Sequence, residues 1–397
     1  MGEKALATER FGILGGTFDP VHHGHLSMAR AALDAAGLDR VMMLPSGDPP
    51  HKTDVTPAED RWRMLCAACA GDRRLVPDRM ELDRKGKTYT FDTLTRVRQA
   101  HPSAEIFYII GADTVPELCK WHRYEEVLKL CTFLVCPRRS DADAALLASE
   151  TRRLTAMGAR LIPVPMQPVD VSSTRIRAEI RAGGMPDDLS LPVYEYARLC
   201  GLYGREAGLN PARAWMPRLF QDLTSKRFAH SMGVVHTARA LALLHHVSTE
   251  QAETAALLHD CAKCLPLPTM QSLCDPSQIN PSFWESGALL HAPAGARLAE
   301  EAYGVHDPAV LHAIAAHTTG AVPMNELDCI LYLADKIEPG RDSYPLLEKV
   351  RSLSRISLKA AMIESLQGSR DYVLAGGRAL HPQTLATLNW FLQQKET

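Results

Sequence analysis

The sequence lacks the hydrophobic segments that would tie a protein to a membrane or direct its secretion. Although 46% of the residues are hydrophobic, no stretch approaches the roughly 20 consecutive apolar residues that a helix needs to span a bilayer. The N-terminus also lacks the apolar core of a secretory signal. These absences predict a cytoplasmic protein without a membrane partner.

Blocks of like charge are absent as well. Lysine and arginine total 44, aspartate and glutamate total 46, and the net charge is only −2. A polynucleotide-binding scaffold usually carries a concentrated basic patch. We therefore expect no polynucleotide partner, and instead small phosphorylated substrates that are bound through local contacts. Internal repeats and low-complexity tracts are missing too.

The ten cysteines do not form the dense framework of a small disulfide-stabilised domain. Two pairs, Cys66/Cys69 and Cys261/Cys264, have the spacing of redox or metal-binding motifs. They lie in helix-patterned segments far apart in the sequence, whereas a zinc ribbon needs a second pair within about 20 residues. We interpret them as structural thiols, which suit a reducing compartment.

The length and the hydrophobic pattern predict two kinds of domain. At about 150 residues per domain, the chain should form two or three. Up to about Gly201, short β-rich runs alternate with helix-like stretches, which predicts an α/β fold with a doubly wound parallel sheet. Ligands bind such a sheet at the carboxyl ends of its strands. The predicted strands are 11–14, 41–44, 105–110, 132–135 and 160–162.

Beyond this region the strand patterns stop. Glycine and proline punctuate residues 204–212, which predicts a linker between a first domain at 9–203 and a second at 213–397. Apolar residues then recur at helical spacing, so we expect the second domain to be all-α. Its predicted helices are 227–244, 249–259, 308–316, 325–337, 352–366 and 382–392.

A glycine turn followed by histidines separates the first predicted strand from a predicted helix at 26–36. From residue 15 to residue 25 its sequence is G-G-T-F-D-P-V-H-H-G-H. Backbone N–H groups, the positive end of the helix dipole and the imidazoles of His22 and His25 would converge on one small space. Such a space suits a phosphate that gains negative charge. The segment therefore predicts a nucleotide-phosphate site that includes Gly16, Thr17 and Phe18.

A second phosphate motif, S-S-T-R-I-R, occupies residues 172–177. A serine can cap the helix that begins there, and an arginine can reach a polyphosphate. Together the motifs resemble the nucleotidylyltransferases with F-D-P-x-H-x-G-H and S-S-T-x-I-R signatures. That resemblance implies ATP and Mg²⁺, attack on the α-phosphate without a covalent enzyme intermediate, and His22 and His25 as catalytic residues. ATP contacts would come from Ser172, Ser173, Thr174 and Arg177.

The middle of the chain is similar to the nicotinate mononucleotide adenylyltransferases of that superfamily. The similarity rests on P-P-H-K at 49–52, K-T-Y-T at 87–90, G-A-D at 111–113 and W-H-R at 121–123. It implies that Trp121 offers a flat face to the pyridine ring, Thr88 binds its carboxylate and Asp113 binds a ribose. Another phosphorylated acceptor, such as phosphopantetheine, is the alternative. Further substrate contacts are expected from Lys52, Tyr89, Gly111 and Arg138.

Histidines and aspartates recur at intervals in the second half. They occur as H at 230, H-D at 259–260, H-A-P-A-G at 291–295, H-T-T-G at 317–320 and A-D-K-I-E-P-G-R at 334–341. Imidazoles and carboxylates in this mixture suit one or two divalent ions. The order H…HD…D resembles the HD-domain metal-dependent phosphohydrolases, and the further blocks resemble the symmetrical diadenosine tetraphosphate hydrolases.

This second resemblance implies two divalent metals, with iron as the metal, and hydrolysis of diadenosine tetraphosphate to two ADP. The implied ligands are His230, His259, Asp260, His291, His317 and Asp335, with Asp260 catalytic and bridging. The implied phosphate-chain contacts are Lys263, Thr318, Thr319 and Arg341. A regulatory module that binds a nucleotide without hydrolysing it is the alternative. The chain is thus expected to be a bifunctional enzyme, with its oligomeric state left open.

Overall fold

The computed structural model describes residues 9–47, 55–137, 144–204, 211–277, 279–377 and 380–394. The chain divides into two compact units, one of Met1–Tyr194 with Leu202–Arg205 and one of Glu195–Gly201 with Glu206–Thr397. Most of the predicted linker lies outside the described residues. None of the helices described combines the length and the apolar character that crossing a membrane requires.

A parallel sheet forms the centre of the first unit. Its strands are β1 (Arg10–Gly16), β2 (Arg40–Pro45), β3 (Leu75–Pro77), β4 (Glu105–Gly111), β5 (Thr132–Cys136) and β6 (Arg160–Pro163). They are arranged in the order β3-β2-β1-β4-β5-β6. The five predicted strands are confirmed. The edge strand β3 escapes prediction because three residues are too few to form a recognisable alternation.

Helices cover the sheet, and this explains why its central strands are nearly continuous apolar runs. Phe11, Ile13 and Phe133 are completely buried. Strands β1 and β4 are neighbours although β2 and β3 lie between them in sequence, so the chain order reverses at this pair and leaves a crevice for a ligand. The helices are α1 (His23–Ala36), α2 (Ala58–Cys69), α3 (Thr90–Ala100), a 3₁₀ helix (Ala112–Lys120), α4 (Tyr124–Leu130), α5 (Ala144–Ala156), α6 (Ser173–Arg181) and α7 (Leu191–Leu199).

In its described residues the second unit is entirely helical, as predicted. Its helices after α7 are α8 (Ala212–Asp222), α9 (Ser225–Leu244), α10 (Thr249–Leu258), α11 (Leu267–Leu273), α12 (Pro281–Trp284), α13 (Gly287–Tyr303), α14 (Pro308–Ala316), α15 (Glu326–Ile337), α16 (Leu347–Ser354), α17 (Leu358–Ala375) and α18 (Pro382–Gln393). Hydroxyl side chains begin several of them; Thr224, for example, accepts a hydrogen bond from the Arg227 N–H. Helix α13 was not among the predicted helices, and it contains Pro293, which disfavours a helix interior.

The prediction of one helix at 352–366 is wrong. Helix α16 ends at Ser354, and α17 begins at Leu358. The Ser354 hydroxyl donates to the carbonyl oxygen of Arg351, and the Ser357 hydroxyl accepts from the N–H of Ala360. Short hydroxyl side chains compete with the helical backbone in this way, so they favour helix ends over helix interiors.

Candidate active sites in the two units

The glycine turn lies between β1 and α1, beside the reversal of chain order. Phe18 has a left-handed backbone with a φ of 49°, which costs a non-glycine residue energy and is concentrated at functional sites. Gly15 allows a close approach, because an added Cβ would lie 2.8 Å from the hydroxyl oxygen of Tyr108. The turn therefore packs directly against β4.

His22 and His25 stack at the start of α1, with ring centroids 3.7 Å apart. The Nδ1 atom of His25 accepts a hydrogen bond from the backbone N–H of His22 at 3.3 Å, so in the neutral ring the proton is on Nε2. Gly24 makes room for this pair, since a Cβ there would lie 3.1 Å from the His22 ring. The two imidazoles thus sit at the positive end of a 14-residue helix.

The two phosphate motifs meet in the structure. Arg177 Nη1 donates to the carbonyl oxygen of Asp19 at 2.7 Å, and the Ser173 hydroxyl donates to the carbonyl oxygen of Pro20 at 3.2 Å. Ser172 caps α6, and Thr174 is exposed on its first turn. A second helix N-terminus, with an arginine, therefore adjoins the histidine motif, from which it is separated by 153 positions in sequence.

The remaining predicted substrate residues occupy the region around β4. Trp121 is half-buried and lies edge-on to the ring of Tyr108, with centroids 5.8 Å apart. Tyr89 packs against His122 at 4.6 Å. Gly111 ends β4, and Asp113 is exposed on the 3₁₀ helix that follows it. Lys52 and Arg138 lie outside the described residues.

Thr88 contacts a buried carboxyl group that the sequence did not single out. The hydroxyl of Thr93 donates to Glu81 at 2.7 Å, and the Thr88 side chain also hydrogen-bonds this carboxyl. Burial raises the pKa of Glu81 above its ordinary value, against the lowering effect of these hydrogen bonds. The K-T-Y-T segment is thus anchored to the interior of the first unit.

Arg61 holds the glycine turn through hydrogen bonds to backbone carbonyl oxygens. Its side chain is 1% exposed, and its guanidinium donates to the carbonyl oxygens of Thr17 at 2.8 Å, Thr56 at 2.9 Å and Gly47 at 3.4 Å. Because the Thr17 carbonyl oxygen accepts from this cation, its orientation in the turn is fixed. Arg61 thereby links the turn to the segments that follow β2 and precede α2.

Replacing Arg61 by methionine is expected to destabilise the first unit by about 3 kcal/mol or more, because three partly buried carbonyl oxygens would lose their donor. Urea denaturation of the full chain measures this. Arg30→Met is the control: Arg30 is exposed and pairs with Asp72 on the surface, so its loss should cost less than about 1 kcal/mol. Equal unfolding midpoints for the two variants would contradict the role given to Arg61.

Five helical segments of the second unit bring the predicted metal ligands together. His230 lies on α9, His291 on α13 and Asp335 on α15. The pair His259–Asp260 directly follows α10, and His317 directly follows α14. The ligand atoms of His230, His259 and Asp260 lie within 4.8 Å of one another, as do those of Asp260, His291 and His317.

Asp260 belongs to both groups. Its Oδ1 lies 3.2 Å from His291 Nε2 and 3.7 Å from His317 Nε2, and its Oδ2 lies 3.6 Å from His259 Nε2. Asp335 completes the first group, with its Oδ1 3.0 Å from His230 Nε2. One carboxylate therefore faces the histidines of both groups.

The ring tautomers suit metal ligation. The Nδ1 atoms of His259 and His317 each lie 2.7 Å from a backbone carbonyl oxygen, and that of His291 lies 3.3 Å from another. Carbonyl oxygens only accept, so in each neutral ring Nδ1 carries the proton and Nε2 keeps its lone pair. His259 Nε2 is buried and has no hydrogen-bond partner among the described residues. A divalent ion would satisfy that atom.

Burial and neighbouring charge also set the protonation that metal binding requires. Burial lowers the pKa of His259 to about 3 and that of His291 to about 4, so both rings are neutral near pH 7. Burial alone would raise the pKa of Asp260, but the surrounding histidines hold it well below its ordinary value. Neutral imidazoles and ionised carboxylates are the forms that ligate metals.

Cations flank this cluster. Arg227 Nη1 lies 3.0 Å from Asp260 Oδ2, and Lys263 Nζ lies 3.0 Å from His291 Nε2. Arg341 bonds the carbonyl oxygen of Asp335 at 2.6 Å and also its carboxylate. The Thr318 hydroxyl is buried without a hydrogen-bond partner among the described residues, whereas the Thr319 hydroxyl donates to the Gly320 carbonyl oxygen. Positive charge beside a carboxylate-rich centre suits a polyphosphate substrate.

Comparison with known proteins agrees with this two-part arrangement. Residues 13–179 match the cytidylyltransferase-like family model. The probable nicotinate-nucleotide adenylyltransferase of Synechococcus sp. (strain JA-3-3Ab) is 39% identical over 197 residues, which are 49% of this chain and 94% of that protein. The chain belongs to the nicotinate-nucleotide adenylyltransferase family. The part of the chain that aligns with this relative is its first half.

The second half of this family member carries an HD domain, since residues 227–340 match the HD family model. The probable nicotinate-nucleotide adenylyltransferase/Ap4A hydrolase of Mycoplasma genitalium is 26% identical over 367 residues, 91% of this chain and 98% of that protein. A crystal structure from Clostridium acetobutylicum, described as a "predicted HD superfamily hydrolase involved in NAD metabolism", is 34% identical, with a TM-score of 0.45. It aligns with 47% of this chain and 100% of its own.

Four residues that shape these sites were not predicted from the sequence. In the adenylyltransferase half they are Arg61 and Tyr108, and in the HD domain they are Arg227 and Glu338. Arginine and tyrosine inside an apolar helix or strand give a weak signal, because most such side chains reach the surface. Glu338 follows Asp335 within the block A-D-K-I-E-P-G-R. This position beside a predicted metal ligand is the sequence feature that could have identified it.

Proposed function

We propose that the chain is a bifunctional enzyme. The first unit transfers the adenylyl group of ATP to nicotinate mononucleotide, which forms deamido-NAD and releases pyrophosphate. The second unit hydrolyses diadenosine tetraphosphate to two ADP. The observation that carries both assignments is the presence of a double phosphate motif and a six-residue metal-ligand cluster in one chain. Relatives named nicotinate-nucleotide adenylyltransferase/Ap4A hydrolase align with most of its length.

In the first reaction an oxygen of the nicotinate mononucleotide phosphate attacks the α-phosphorus of ATP, and the bond to the β-phosphate oxygen breaks. No nucleophilic side chain is needed, so catalysis depends on positioning and on stabilising charge. The Nε2–H of His25, together with His22, donates to the α-phosphate as it gains charge. Ser172, Thr174 and Arg177 hold the leaving pyrophosphate, and a bound Mg²⁺ would offset its charge.

The acceptor is held around β4. Trp121 stacks on the pyridine ring, and Asp113 binds a ribose at the strand end. The hydroxyl of Thr88 donates to Glu81, so the backbone amides beside Thr88 provide the donors of the carboxylate pocket. This assignment favours nicotinate over nicotinamide, because hydrogen-bond donors recognise the carboxylate of nicotinate.

In the second reaction a water oxygen attacks a phosphorus in the middle of the tetraphosphate chain, one ADP leaves, and the water proton is released. Two divalent ions would make water nucleophilic near neutral pH and offset charge on the attacked phosphate. The six ligand residues would hold these ions, and Asp260 belongs to both groups of ligands. Three cationic side chains bind the phosphate chain beside the cluster, namely Lys263, Arg227 and Arg341. Thr318 provides a hydroxyl donor.

Iron is the metal proposed here, in its divalent state. A set of four imidazoles and two carboxylates is of intermediate hardness, which suits Fe²⁺ as well as Mn²⁺ or Co²⁺. The fit of the residues to metal is supported by the Nε2 of His259, which has no hydrogen-bond partner among the described residues, and by the lowered pKa values of His259 and His291. A purely regulatory domain has no need to keep six ligands, so the hydrolytic assignment is preferred.

One experiment tests both halves. Protein purified without oxygen is analysed for bound metal and then assayed with ATP plus nicotinate mononucleotide, nicotinamide mononucleotide or phosphopantetheine, and separately with diadenosine tetraphosphate. We expect about two metals per chain, ADP as the sole hydrolysis product and fastest adenylyl transfer to nicotinate mononucleotide. After chelation, added Mg²⁺ should restore transfer but not hydrolysis.

Metal-free protein that fails to hydrolyse the dinucleotide after reconstitution with iron, manganese or cobalt would refute the hydrolase assignment. A faster reaction with phosphopantetheine than with either mononucleotide would refute the acceptor.

A further inference from the structure

A buried carboxylate outside the six ligands contacts one of them directly. Glu338 is 4% exposed, and its Oε1 lies 3.0 Å from the Nδ1 of His230. The other ring nitrogen, Nε2, faces Asp335 Oδ1 at 3.0 Å. Both ring nitrogens of His230 therefore face carboxylate oxygens, which only accept. With a metal ion at Nε2, the nitrogen on the side of the cluster, the ring proton would be on Nδ1 and would be donated to Glu338.

His230 differs from the other three histidines of the cluster in the group that its Nδ1 atom faces. The Nδ1 atoms of His259, His291 and His317 face backbone carbonyl oxygens. Among these four rings, only that of His230 is paired through Nδ1 with a carboxylate. A carboxylate in that position fixes the ring orientation and makes the opposite nitrogen a stronger donor to a metal.

The surrounding chain holds Glu338 in place. The N–H of Gly340 donates to its Oε2 at 2.5 Å. Its own carbonyl oxygen accepts from Arg351 Nη2 at 3.0 Å. On the facing helix α9, an added Cβ at Gly233 would lie 2.4 Å from Oε2. Glycine at 233 therefore leaves the space that this carboxylate occupies.

We propose that Glu338 is a positioning residue for the metal centre, which acts by holding His230 in the tautomer and orientation needed for ligation. The inference rests on the proposed metal-dependent function of the HD domain. It assigns Gly233 a part in the same arrangement, as the residue that makes room for the carboxylate.

The first test is Glu338→Gln in the full chain. Glutamine has nearly the same shape and can still accept from His230, but it lacks the charge and its amide group faces the Gly340 N–H. The Kd for Co²⁺, measured by chelator competition and by visible absorption, is expected to rise about 10- to 100-fold. The matched control is Glu326→Gln, an exposed residue at the opposite end of α15. It should keep the wild-type Kd.

A second variant, Gly233→Ala, tests the same arrangement without removing any polar group. Alanine favours the helical backbone more than glycine, so helix content should not fall. Its methyl group would nevertheless displace Glu338, and the Kd for Co²⁺ is expected to rise in the same way. For both variants, hydrolysis should return at saturating metal, which would not happen if the domain had simply lost its fold.

Wild-type Kd values in both variants would overturn the inference while leaving the metal centre intact. A wild-type chain that binds no divalent ion would refute the metal centre itself and the inference with it. Weakened binding that excess metal does not rescue would show that Glu338 supports the fold rather than His230.

Discussion

Replacing His25 by alanine is expected to slow adenylyl transfer about a hundred- to thousandfold without affecting hydrolysis of diadenosine tetraphosphate. Its Nδ1 atom accepts from the backbone N–H of His22, so the variant loses the Nε2–H, which we propose as the donor to the charge that develops on the α-phosphate. The loss corresponds to about 3 to 4 kcal/mol of transition-state stabilisation. The kcat of deamido-NAD formation measures it.

His23→Ala is the matched control for this prediction. His23 stands between the two stacked imidazoles in sequence, but its side chain is exposed. We expect its kcat to stay near the wild-type value. Because both variants keep the HD domain, hydrolysis by the same preparations reports on the amount of intact chain. Equal rates for His25→Ala and His23→Ala would remove His25 from the catalytic assignment.

Asp260→Asn is expected to lower dinucleotide hydrolysis roughly a thousandfold or more, because the several kcal/mol that metal ions contribute to stabilising charge would be lost. The two oxygens of this carboxylate face different histidines, with His291 and His317 near Oδ1 and His259 near Oδ2. Neutralising it therefore weakens both metal positions at once. Metal content should fall together with ADP formation.

Asp342→Asn, an exposed aspartate beyond α15, is the control for charge removal. It should keep both metals and full hydrolysis. Adenylyl transfer should be unchanged in the two variants, since the ligands lie in the other unit. An Asp260→Asn variant that retains two metals would show that this carboxylate does not bridge them.

Several features were predictable because they are local in sequence. The alternation of strand and helix patterns, the glycine turn before His22 and the H-D pair at 259–260 each depend on residues within a few positions of one another. Local backbone preferences and hydrophobic periodicity act over that range. For the same reason, the boundaries of α14 at Pro308–Ala316 agree with the predicted helix at 308–316.

Other features depend on residues that are far apart. His230 and Asp335 are separated by 105 positions, and Arg177 reaches Asp19 across 158. Spacing along the chain carries no information about such contacts, which form when packed helices and strands exclude water. The prediction of one helix at 352–366 was wrong for a local reason. Serine hydroxyls there compete with the helical backbone, and the hydrophobic period does not reveal this competition.

The sequence by itself determined the two-part architecture, the family and the candidate site residues, because motifs and periodicity record local constraints. Only the tertiary structure decided how those residues act together: which imidazole nitrogen of His25 carries the proton, that Asp260 faces both histidine groups, and that Arg61 and Glu338 support them. Hydrogen-bond partners and burial are set by packing between distant segments.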